Sequence, residues 1–262
     1  MKWISLALGA MVGLLGSASA RCETNTQAPL PPVEQVIQRA IDKAQTESDN
    51  DLNFNLRYAY KRTKVKAFLN GDGTVSSSET SCSTNNPVRV RARQAAREAA
   101  AQAVVDKEPK AQDAKSVVHG KAFHKKDFLM NQDLLNRFNF VLVGRQTLNG
   151  RDTLVIDFKP KPGKLPERNL KERFINRAAG RVWLDEQDAQ LARADLHLTE
   201  KVDVLAGLVG SVWKFTCSIN RERTDDGLWF TRTSNWHLEG REVMIHRIVD
   251  YHDKTEDVVR IP

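Results

Sequence analysis

Apolar and polar residues alternate on both sides of the Asn-Gly dipeptide at positions 149–150. Asn-Gly is typical of a type I′ hairpin turn, because both central residues of that turn take a positive φ angle. A two-residue turn here places Val143 opposite Ile156 and Val141 opposite Phe158. The pattern therefore predicts an antiparallel hairpin that carries these four apolar side chains on one face.

The same alternation continues through the second half of the chain, where it predicts five more strands. They are Arg181–Asp185, Leu191–Thr199, Val212–Arg221, Leu228–Glu239 and Val243–His252. Prolines between residues 160 and 166 stop the hairpin strand, and Leu170–Arg177 predicts one or two helical turns. The uncharged segment Val204–Gly210 is either the end of a buried strand or an apolar loop at the mouth of a cavity or against a membrane.

Two turns set the register of the last three strands: a type I′ turn at Asp226-Gly227 and a type II′ turn at Gly240-Arg241. The opposed pairs are then Cys217 with Trp236, Phe215 with Leu238, Leu238 with Val243, and Trp236 with Ile245. All of these residues fall on one apolar face of a three-stranded meander. The reverse face carries Lys214, Arg232, His237 and His246, and we expect it to be wetter.

An amphipathic helix is predicted near the N-terminus, with apolar residues at intervals of three and four. The apolar positions are Val33, Val36, Ile37, Ala40, Ile41 and Ala44. Pro32 precedes this helix and Glu34 lies in its first turn, where the helix dipole favours an acidic side chain. We expect the helix to cover a sheet with its apolar side.

A long strand is predicted over Leu52–Leu69, because alternate positions at its start are apolar or aromatic. These positions are Leu52, Phe54, Leu56, Tyr58 and Tyr60. The phase of the alternation then changes, which indicates a β-bulge near Lys61-Arg62. Residues 70–73 turn the chain into a Ser- and Thr-rich strand over Thr74–Thr84, and such a pair is typical of a sheet edge.

A basic helical insertion is predicted at about residues 88–124. Arg89–Asp106 is rich in Ala, Arg and Gln and predicts a helix whose small apolar side chains bury little area. The chain from there to Gly120 is polar and has no clear period, and the role of Arg89–Gly120 stays open. A short helix over Phe128–Phe138 then leads into the hairpin.

Residues 1–20 have the three parts of a secretory signal peptide: a basic residue, an apolar run and a small-residue Ala-x-Ala site. We expect cleavage after Ala20 and export of the rest of the chain. Residues 21–32 are polar and contain prolines, which predicts a flexible tether. Residues 33–262 are expected to form a single domain.

Three cysteines, Cys22, Cys82 and Cys217, follow the predicted cleavage site. One disulfide can form in an oxidising compartment, and it leaves the third thiol over unless that thiol pairs between chains. Their separations do not fit a zinc site. Cys22 stands where a lipid anchor would be attached, but Arg21 occupies the preceding position, where a lipobox has a small residue. Lipidation is therefore disfavoured.

The formal net charge is +7, with basic clusters at residues 89–97, 121–126 and 159–177. A diffuse positive surface is typical of solvated faces, and it also suits anionic lipid headgroups or an acidic partner. Since the chain is predicted to be exported, we expect no nucleic-acid partner.

The sequence as a whole resembles the LolA-like periplasmic carriers of outer-membrane lipoproteins. The resemblance rests on the signal peptide, the leading helix, the long strand with its turn, and above all the hairpin at 138–158 followed by Gly180-Arg-Val-Trp-Leu-Asp185. It implies a mainly β fold, an incomplete, curved antiparallel β-barrel with helices covering the concave face. It also implies a monomeric periplasmic carrier without enzymatic activity or cofactor, which binds lipid or lipoprotein acyl chains in an apolar cleft under a helical lid and hands them to membrane-associated envelope proteins.

The alternating apolar residues would line that cleft. They are Leu52, Phe54, Leu56, Tyr58, Tyr60, Val141, Val143, Ile156, Phe158, Leu196, Leu198, Phe215, Trp236, Leu238 and Ile245. Alternating Leu, Phe and Trp also fit the solid core of an ordinary β-sandwich, so a core without a cleft is the alternative interpretation.

Two other functions stay open. A non-catalytic envelope-stress sensor or scaffold would use the same fold without acyl chains. An exported metal-dependent or hydrolytic enzyme would use His237 and His246, which the predicted register places on adjacent strands of the wetter face. Because no His-Glu-x-x-His motif, Gly-x-Ser-x-Gly motif or phosphate loop accompanies them, we expect no catalytic or metal site.

Overall fold

A computed structural model describes residues 29–103, 132–204, 210–242 and 244–262, and these ranges contain five helices and ten strands. The helices are α1 (Val33–Ala44), α2 (Glu47–Arg57), α3 (Pro87–Ala103), α4 (Gln132–Arg137) and α5 (Leu170–Ile175). The strands are β1 (Tyr58–Leu69), β2 (Val75–Asn85), β3 (Phe138–Leu148), β4 (Arg151–Pro160), β5 (Ala178–Asp185), β6 (Leu191–Leu198), β7 (Val202–Val204), β8 (Gly210–Arg223), β9 (Trp229–Glu242) and β10 (Ile245–Arg260).

The ten strands form one antiparallel sheet with the order β2-β1-β10-β9-β8-β6-β5-β4-β3, and β7 pairs with β8. Most neighbours follow one another in the chain, whereas β1 pairs with the last strand, β10. Among the described residues the outermost strands β2 and β3 do not pair with each other, so the sheet does not close into a barrel. The predicted mainly β fold, with an open antiparallel sheet and a few helices, is confirmed.

Helix α1 forms over the predicted residues and builds the main core. Its buried side chains are Val36, Ile37, Ala40 and Ile41. They pack against Leu154 and Ile156 on β4 and Leu184 on β5. Burying a large aliphatic side chain contributes about 1.5–3 kcal/mol, so these contacts hold α1 firmly on the sheet. We call the sheet face that α1 covers the inner face, and the opposite one the outer face.

The β3–β4 hairpin has the predicted turn, with positive φ angles of 50° at Asn149 and 74° at Gly150. A register shift between Leu142 and Gly144 breaks the predicted pairing further from the turn. An inserted residue moves every residue beyond it to the other face, so Leu142 and not Val143 opposes Ile156. The predicted inward positions of Val143 and Val141 are therefore wrong. Their side chains are 50% and 58% exposed.

The first part of the predicted strand Leu52–Leu69 is helical, because α2 ends at Arg57 and β1 begins at Tyr58. The prediction of a strand for Leu52, Phe54 and Leu56 is wrong. Five alternating residues are a short pattern, and the helical interval of four equally places Phe54 beside Tyr58.

Strands β1 and β2 agree with the rest of that prediction. The register between β1 and β10 shifts between Ala59 and Lys61, next to the expected bulge. The chain turns at residues 70–73, where Gly73 has a φ of +84°. Strand β2 lies at the edge of the sheet, and its residues are exposed up to the half-buried Asn85.

The β8–β9 pairing contains two departures from the prediction that cancel each other. The backbone N–H of Thr224 donates a hydrogen bond to the carbonyl of Leu228 and closes a loop of residues 225–227, in which Gly227 has a φ of +88°. This loop is one residue longer than the predicted two-residue turn. A register shift at Asn220 and Arg221 compensates for that residue. The predicted pairs, Cys217 with Trp236 and Phe215 with Leu238, are confirmed.

The turn between β9 and β10 lies further along the chain than predicted. Strand β9 continues through Gly240 to Glu242, and β10 starts at Ile245. A Cβ atom at Gly240 would lie 2.5 Å from the carbonyl oxygen of Ser211, so glycine permits a close approach of two strands here. The predicted turn at Gly240-Arg241 is therefore wrong.

The later turn changes the partners of β10. The observed pairs are Trp236 with Tyr251, Leu238 with Val249, and Ile245 with Glu242. The predicted pairing of Ile245 with Trp236 is wrong, and the side chain of Ile245 is 55% exposed. Val243 lies outside the described residues. Because the register moves by an even number of residues, Trp236 and Leu238 still share one face.

The remaining predicted strands and helices agree with the elements of the described ranges. Strands β5, β6, β8, β9 and β10 overlap the five predicted segments, while the short strand β7 was not predicted. Helix α3 covers the start of the predicted insertion, and α4 is the described end of the predicted short helix. Residues 1–28, 104–131 and 205–209 lie outside the described residues, and so do the signal peptide and most of the tether. We find no helix in the described ranges with the length and apolarity to cross a bilayer.

Candidate functional site

A row of directly opposed residues crosses six strands on the inner face. It consists of Phe158, Gly180, Leu196, Cys217, Trp236 and Tyr251, on β4, β5, β6, β8, β9 and β10. Directly opposed residues in a sheet point to the same face, so this row forms a continuous surface. Every member is half-buried. We call it the apolar strip.

Gly180 gives the apolar strip a notch and brings two strands close together. A Cβ atom at this position would lie 2.1 Å from the carbonyl oxygen of Asp195 on β6. A side chain of any kind would therefore collide with the backbone of the neighbouring strand. Glycines of this type occur where a sheet bends or where backbones approach closely.

A second apolar row runs beside the strip. In it Phe215 faces Leu238, Leu238 faces Val249, and Val249 faces Phe68. Aromatic rings link the two rows, because the ring of Trp236 lies 6.4 Å from that of Phe215 and stacks on that of Tyr251 at 5.0 Å. Together the two rows place a broad apolar area on the inner face.

The helices cover other parts of the inner face. Under α1 the sheet is a packed core and not a cleft, with Ile37 at 1% and Ile156 at 0% exposure. Under α2 the ring of Phe54 stacks on Phe230 at 4.9 Å and on Tyr58 at 5.2 Å. The expectation of a cleft beneath these helices is therefore wrong, and the half-buried apolar surface lies beside them.

A charged cluster borders the strip on the side of β1. Asp253 is 5% exposed and receives two hydrogen bonds from Nε and Nη2 of Arg62, at 2.8 and 2.5 Å. The hydroxyl of Tyr251 donates to the same carboxylate at 3.3 Å. Burial, together with the nearby charge of Asp253, raises the pKa of Tyr251 to about 12. The phenol therefore stays neutral at physiological pH.

The outer face behind the strip is polar, as the sequence predicts for Lys214, His237 and His246. Both ring nitrogens of His237 face carboxylates, with Nδ1 2.6 Å from Asp250 and Nε2 2.7 Å from Glu239. Glu239 also accepts a hydrogen bond from Lys214 at 2.5 Å. The ammonium of Lys214, and then His237, lower the pKa of Glu239 to about 2. A groove of about 550 Å³ lies beside this network, and Thr216, Ser218 and Asn235 are among the residues that line it.

The two candidate catalytic histidines lie apart. His237 faces Asp250, whereas His246 faces Arg241 and packs its ring 5.2 Å from that of Trp213. The predicted proximity depended on the Gly240-Arg241 turn and is wrong for the same reason. In the described ranges, no group of three or more His, Cys, Asp or Glu side chains is placed to hold a metal ion.

The predicted lining residues separate into four sets. Phe158, Leu196, Leu198, Phe215, Trp236 and Leu238 are half-buried on the inner face. Phe54, Tyr58 and Tyr60 pack together under α2, and Leu56 is a half-buried residue of that helix. Ile156 belongs to the core under α1. Leu52, Val141, Val143 and Ile245 are exposed, so the expectation that they line the same surface is wrong.

The sequence analysis did not predict that Tyr251 belongs to the apolar strip and Val249 to the second apolar row. Both are an even number of residues from Ile245 in the predicted last strand. The alternation in that strand therefore placed them on the same face as Ile245. Sequence reasoning also missed Phe140 and Leu142, which pack against the core under α1. Both lie at alternate positions of β3, but the register counted from the turn assigns them to the other face, because it does not include the bulge.

Cys82 and Cys217 are free thiols and do not form a disulfide with each other. Cys82 is exposed on β2, and Cys217 is half-buried in the strip. Burial raises the pKa of the Cys217 thiol to about 11, with a smaller contribution from Asp195. Cys22 lies outside the described residues.

Comparison with known proteins gives matches only among solved structures. No family model matches the chain, and no curated protein does. An outer membrane lipoprotein-sorting protein domain from Vibrio parahaemolyticus matches 86% of this chain and 93% of its own, at 11% identity and a TM-score of 0.35. A LolA superfamily protein from Nitrosomonas europaea matches 89% of this chain and 96% of its own, at 7% identity and a TM-score of 0.34.

A complex of MucA and MucB from Pseudomonas aeruginosa also matches, over 82% of this chain and 94% of the other, at 9% identity and a TM-score of 0.22. The identities and TM-scores are low for all three of these structures.

Proposed function

We propose that this protein is a non-enzymatic periplasmic carrier that holds acyl chains of lipids or lipoproteins on the apolar strip. The observation that supports the proposal is the half-buried state of Leu196, Trp236 and their neighbours on the inner face. In the core under α1, by contrast, Leu184 is 1% exposed. Large apolar side chains that the described helices leave partly open are typical of a binding surface.

The energetics of such binding are sufficient for a carrier. Each methylene group removed from water contributes about 0.8 kcal/mol, so ten methylene groups correspond to about 8 kcal/mol. This gross value is equivalent to micromolar affinity, and the cost of ordering the chain reduces it. Binding of this strength permits both pick-up and release. The predicted signal peptide supports export to the compartment where such carriage takes place.

A polar substitution in the strip tests the proposal. We expect Leu196→Gln to weaken binding of a fluorescent fatty acid about tenfold. The substitution removes apolar contact area, and this loss corresponds to roughly 1.4 kcal/mol of binding free energy. His197→Gln is the matched control, since His197 is the next residue of β6 and faces the opposite side of the sheet. The affinities are measured by fluorescence titration of purified protein. Absence of binding to the wild-type protein, or equal affinities of the two variants, would contradict the proposal.

A second candidate function is that of a non-catalytic envelope sensor or scaffold. The exposed edge strand β2 favours it, because the free N–H and C=O groups of an edge strand can pair with an extended segment of another protein. Native mass spectrometry of the protein purified from its own compartment separates the two functions. A bound lipid or lipopeptide supports carriage, whereas a bound polypeptide without lipid supports the scaffold.

A further inference from the structure

Two lysines lie at the end of the apolar strip. Strand β1 follows β10 in the sheet, and there Lys66 faces Tyr251 while Lys64 faces Asp253. Both lysines therefore point to the inner face. Lys66 continues the apolar strip, and Lys64 lies two residues before it on β1. The ammonium group of Lys66 lies 4.7 Å above the ring of Phe68, which keeps it on the apolar surface.

Neither lysine has an ion-pair partner within 4.0 Å in the described part of the chain. Asp253, which faces Lys64, is engaged by Arg62 through two nitrogen atoms. Glu79 on β2 faces Lys66 in register but lies beyond ion-pair distance of it. Both lysines are half-buried. A half-buried cation without a carboxylate partner favours an anionic ligand, because that ligand recovers the electrostatic energy that the protein does not supply.

The dimensions of the strip fit an acyl chain that starts at these lysines. Neighbouring strands lie about 4.8 Å apart, so the three steps from Tyr251 to Leu196 span about 14 Å. One leaflet contributes about half of the 30 Å hydrocarbon core of a bilayer, or about 15 Å. An extended lipid tail thus covers the strip from Tyr251 to Leu196 when its headgroup lies over β1.

We propose that the cargo is an anionic phospholipid, with its acyl chains on the apolar strip and its headgroup phosphate bound by Lys64 and Lys66. This proposal rests on the proposed function, since it requires acyl chains on the strip. It adds the chemical class of the cargo and the two residues that recognise it. An ammonium group binds phosphate as a point charge, so the recognition depends on salt concentration and not on the shape of the headgroup.

The test compares two lipids with identical chains, dioctanoyl-phosphatidylglycerol and the zwitterionic dioctanoyl-phosphatidylcholine, by calorimetry on the purified protein. We expect tighter binding of the anionic lipid. In the double variant Lys64→Gln and Lys66→Gln its affinity falls about 25-fold, because each lysine near an anionic lipid contributes about fivefold. The affinity for the zwitterionic lipid changes much less. Lys61→Gln is the control, since Lys61 lies on the same strand and is exposed.

The outcomes separate the two proposals. Equal binding of both lipids, or a double variant that retains the preference for the anionic lipid, overturns the headgroup assignment and leaves acyl-chain carriage supported. If neither lipid binds, carriage itself fails. Glycerol phosphate, which has the anionic group but no chains, completes the set. Binding of this compound as tight as that of the anionic lipid would show a phosphate site without a lipid and would overturn the headgroup assignment as well.

Discussion

Asp253 shows how a single buried charge is maintained at the border of the apolar strip. Its carboxylate is 5% exposed and accepts hydrogen bonds from Arg62 and Tyr251. The Arg62 side chain is 39% exposed, so water shares in its solvation. The Arg62–Asp253 ion pair is therefore intermediate between a surface and a buried ion pair. A surface ion pair contributes little to stability, whereas loss of one partner of a buried ion pair is costly.

We expect Asp253→Asn to lower the free energy of unfolding by about 1–2 kcal/mol, because a charged hydrogen-bond acceptor for Arg62 is lost. Asp257→Asn is the matched control on the same strand. Asp257 is exposed and has a φ of 52°, a conformation that Asn adopts as readily as Asp. Denaturant titration of both variants measures the difference. Equal stability of the two variants would show that the contact with Arg62 contributes nothing.

Cys217 and Cys82 are expected to react at very different rates. With a pKa of about 11, only about one in a thousand Cys217 thiols is ionised at pH 8, and the thiolate is the nucleophile. Cys82 is exposed. Site-resolved mass spectrometry after brief treatment with iodoacetamide should therefore find Cys82 modified first. In denatured protein the two sites should react alike, and equal rates in the folded protein would contradict the burial of Cys217.

At the scale of elements, strands β8, β9 and β10 are joined on the outer face by the network around Glu239. Lys214, Glu239, His237 and Asp250 connect three successive strands through side chains. On the inner face the same strands present Phe215, Trp236 and Tyr251. One face of the meander is thus held by charged contacts, while the other keeps its apolar side chains available.

The low pKa of Glu239 predicts a specific dependence of stability on pH. Because the folded-state pKa is about 2 and the ordinary value is 4.5, its contribution is fully present above pH 4.5 and is lost as the pH falls through 2. We expect Glu239→Gln to be less stable than wild type near neutral pH, and this difference should shrink between pH 4.5 and 2. Urea titrations across this range measure it.

Glu79→Gln on the exposed strand β2 is the control for that experiment. Glu79 makes no ion pair within 4.0 Å among the described residues, although it faces Lys66 in register. Its variant should follow the wild-type profile over the whole range. A Glu239→Gln profile parallel to wild type down to pH 2 would contradict the role of the network.

At the scale of the whole molecule, the sheet is organised by pairing between distant parts of the chain. Strand β1 pairs with β10, and through this contact Lys64 and Lys66 reach the end of the apolar strip. The helices then divide the inner face into a packed core under α1, an aromatic cluster under α2, and the half-buried strip. The proposed carriage depends on this division, because a surface that is fully covered cannot take up a ligand.

Sequence patterns predicted most elements because the information they use is local. The type I′ turn at Asn149-Gly150, the apolar side of α1 and the exposed strand β2 follow from backbone preferences and from residues a few positions apart. The pairing of Cys217 with Trp236 was predicted correctly even though the loop is longer than expected, since a bulge compensates for the extra residue. The wetter outer face was also predictable from alternation.

Register and coverage, by contrast, depend on partners that are remote in the chain. Gly240 has the sequence context of a turn, yet the backbone of Ser211 keeps it in a strand. The bulge beside Gly144 turns Val143 outward, and Phe54 is buried because Phe230 lies beneath it. Local composition determines which segments are helix, strand and turn, and which sides of them are apolar. Only packing determines which apolar sides become core and which stay open, since the same side chains satisfy both outcomes until a distant element covers them.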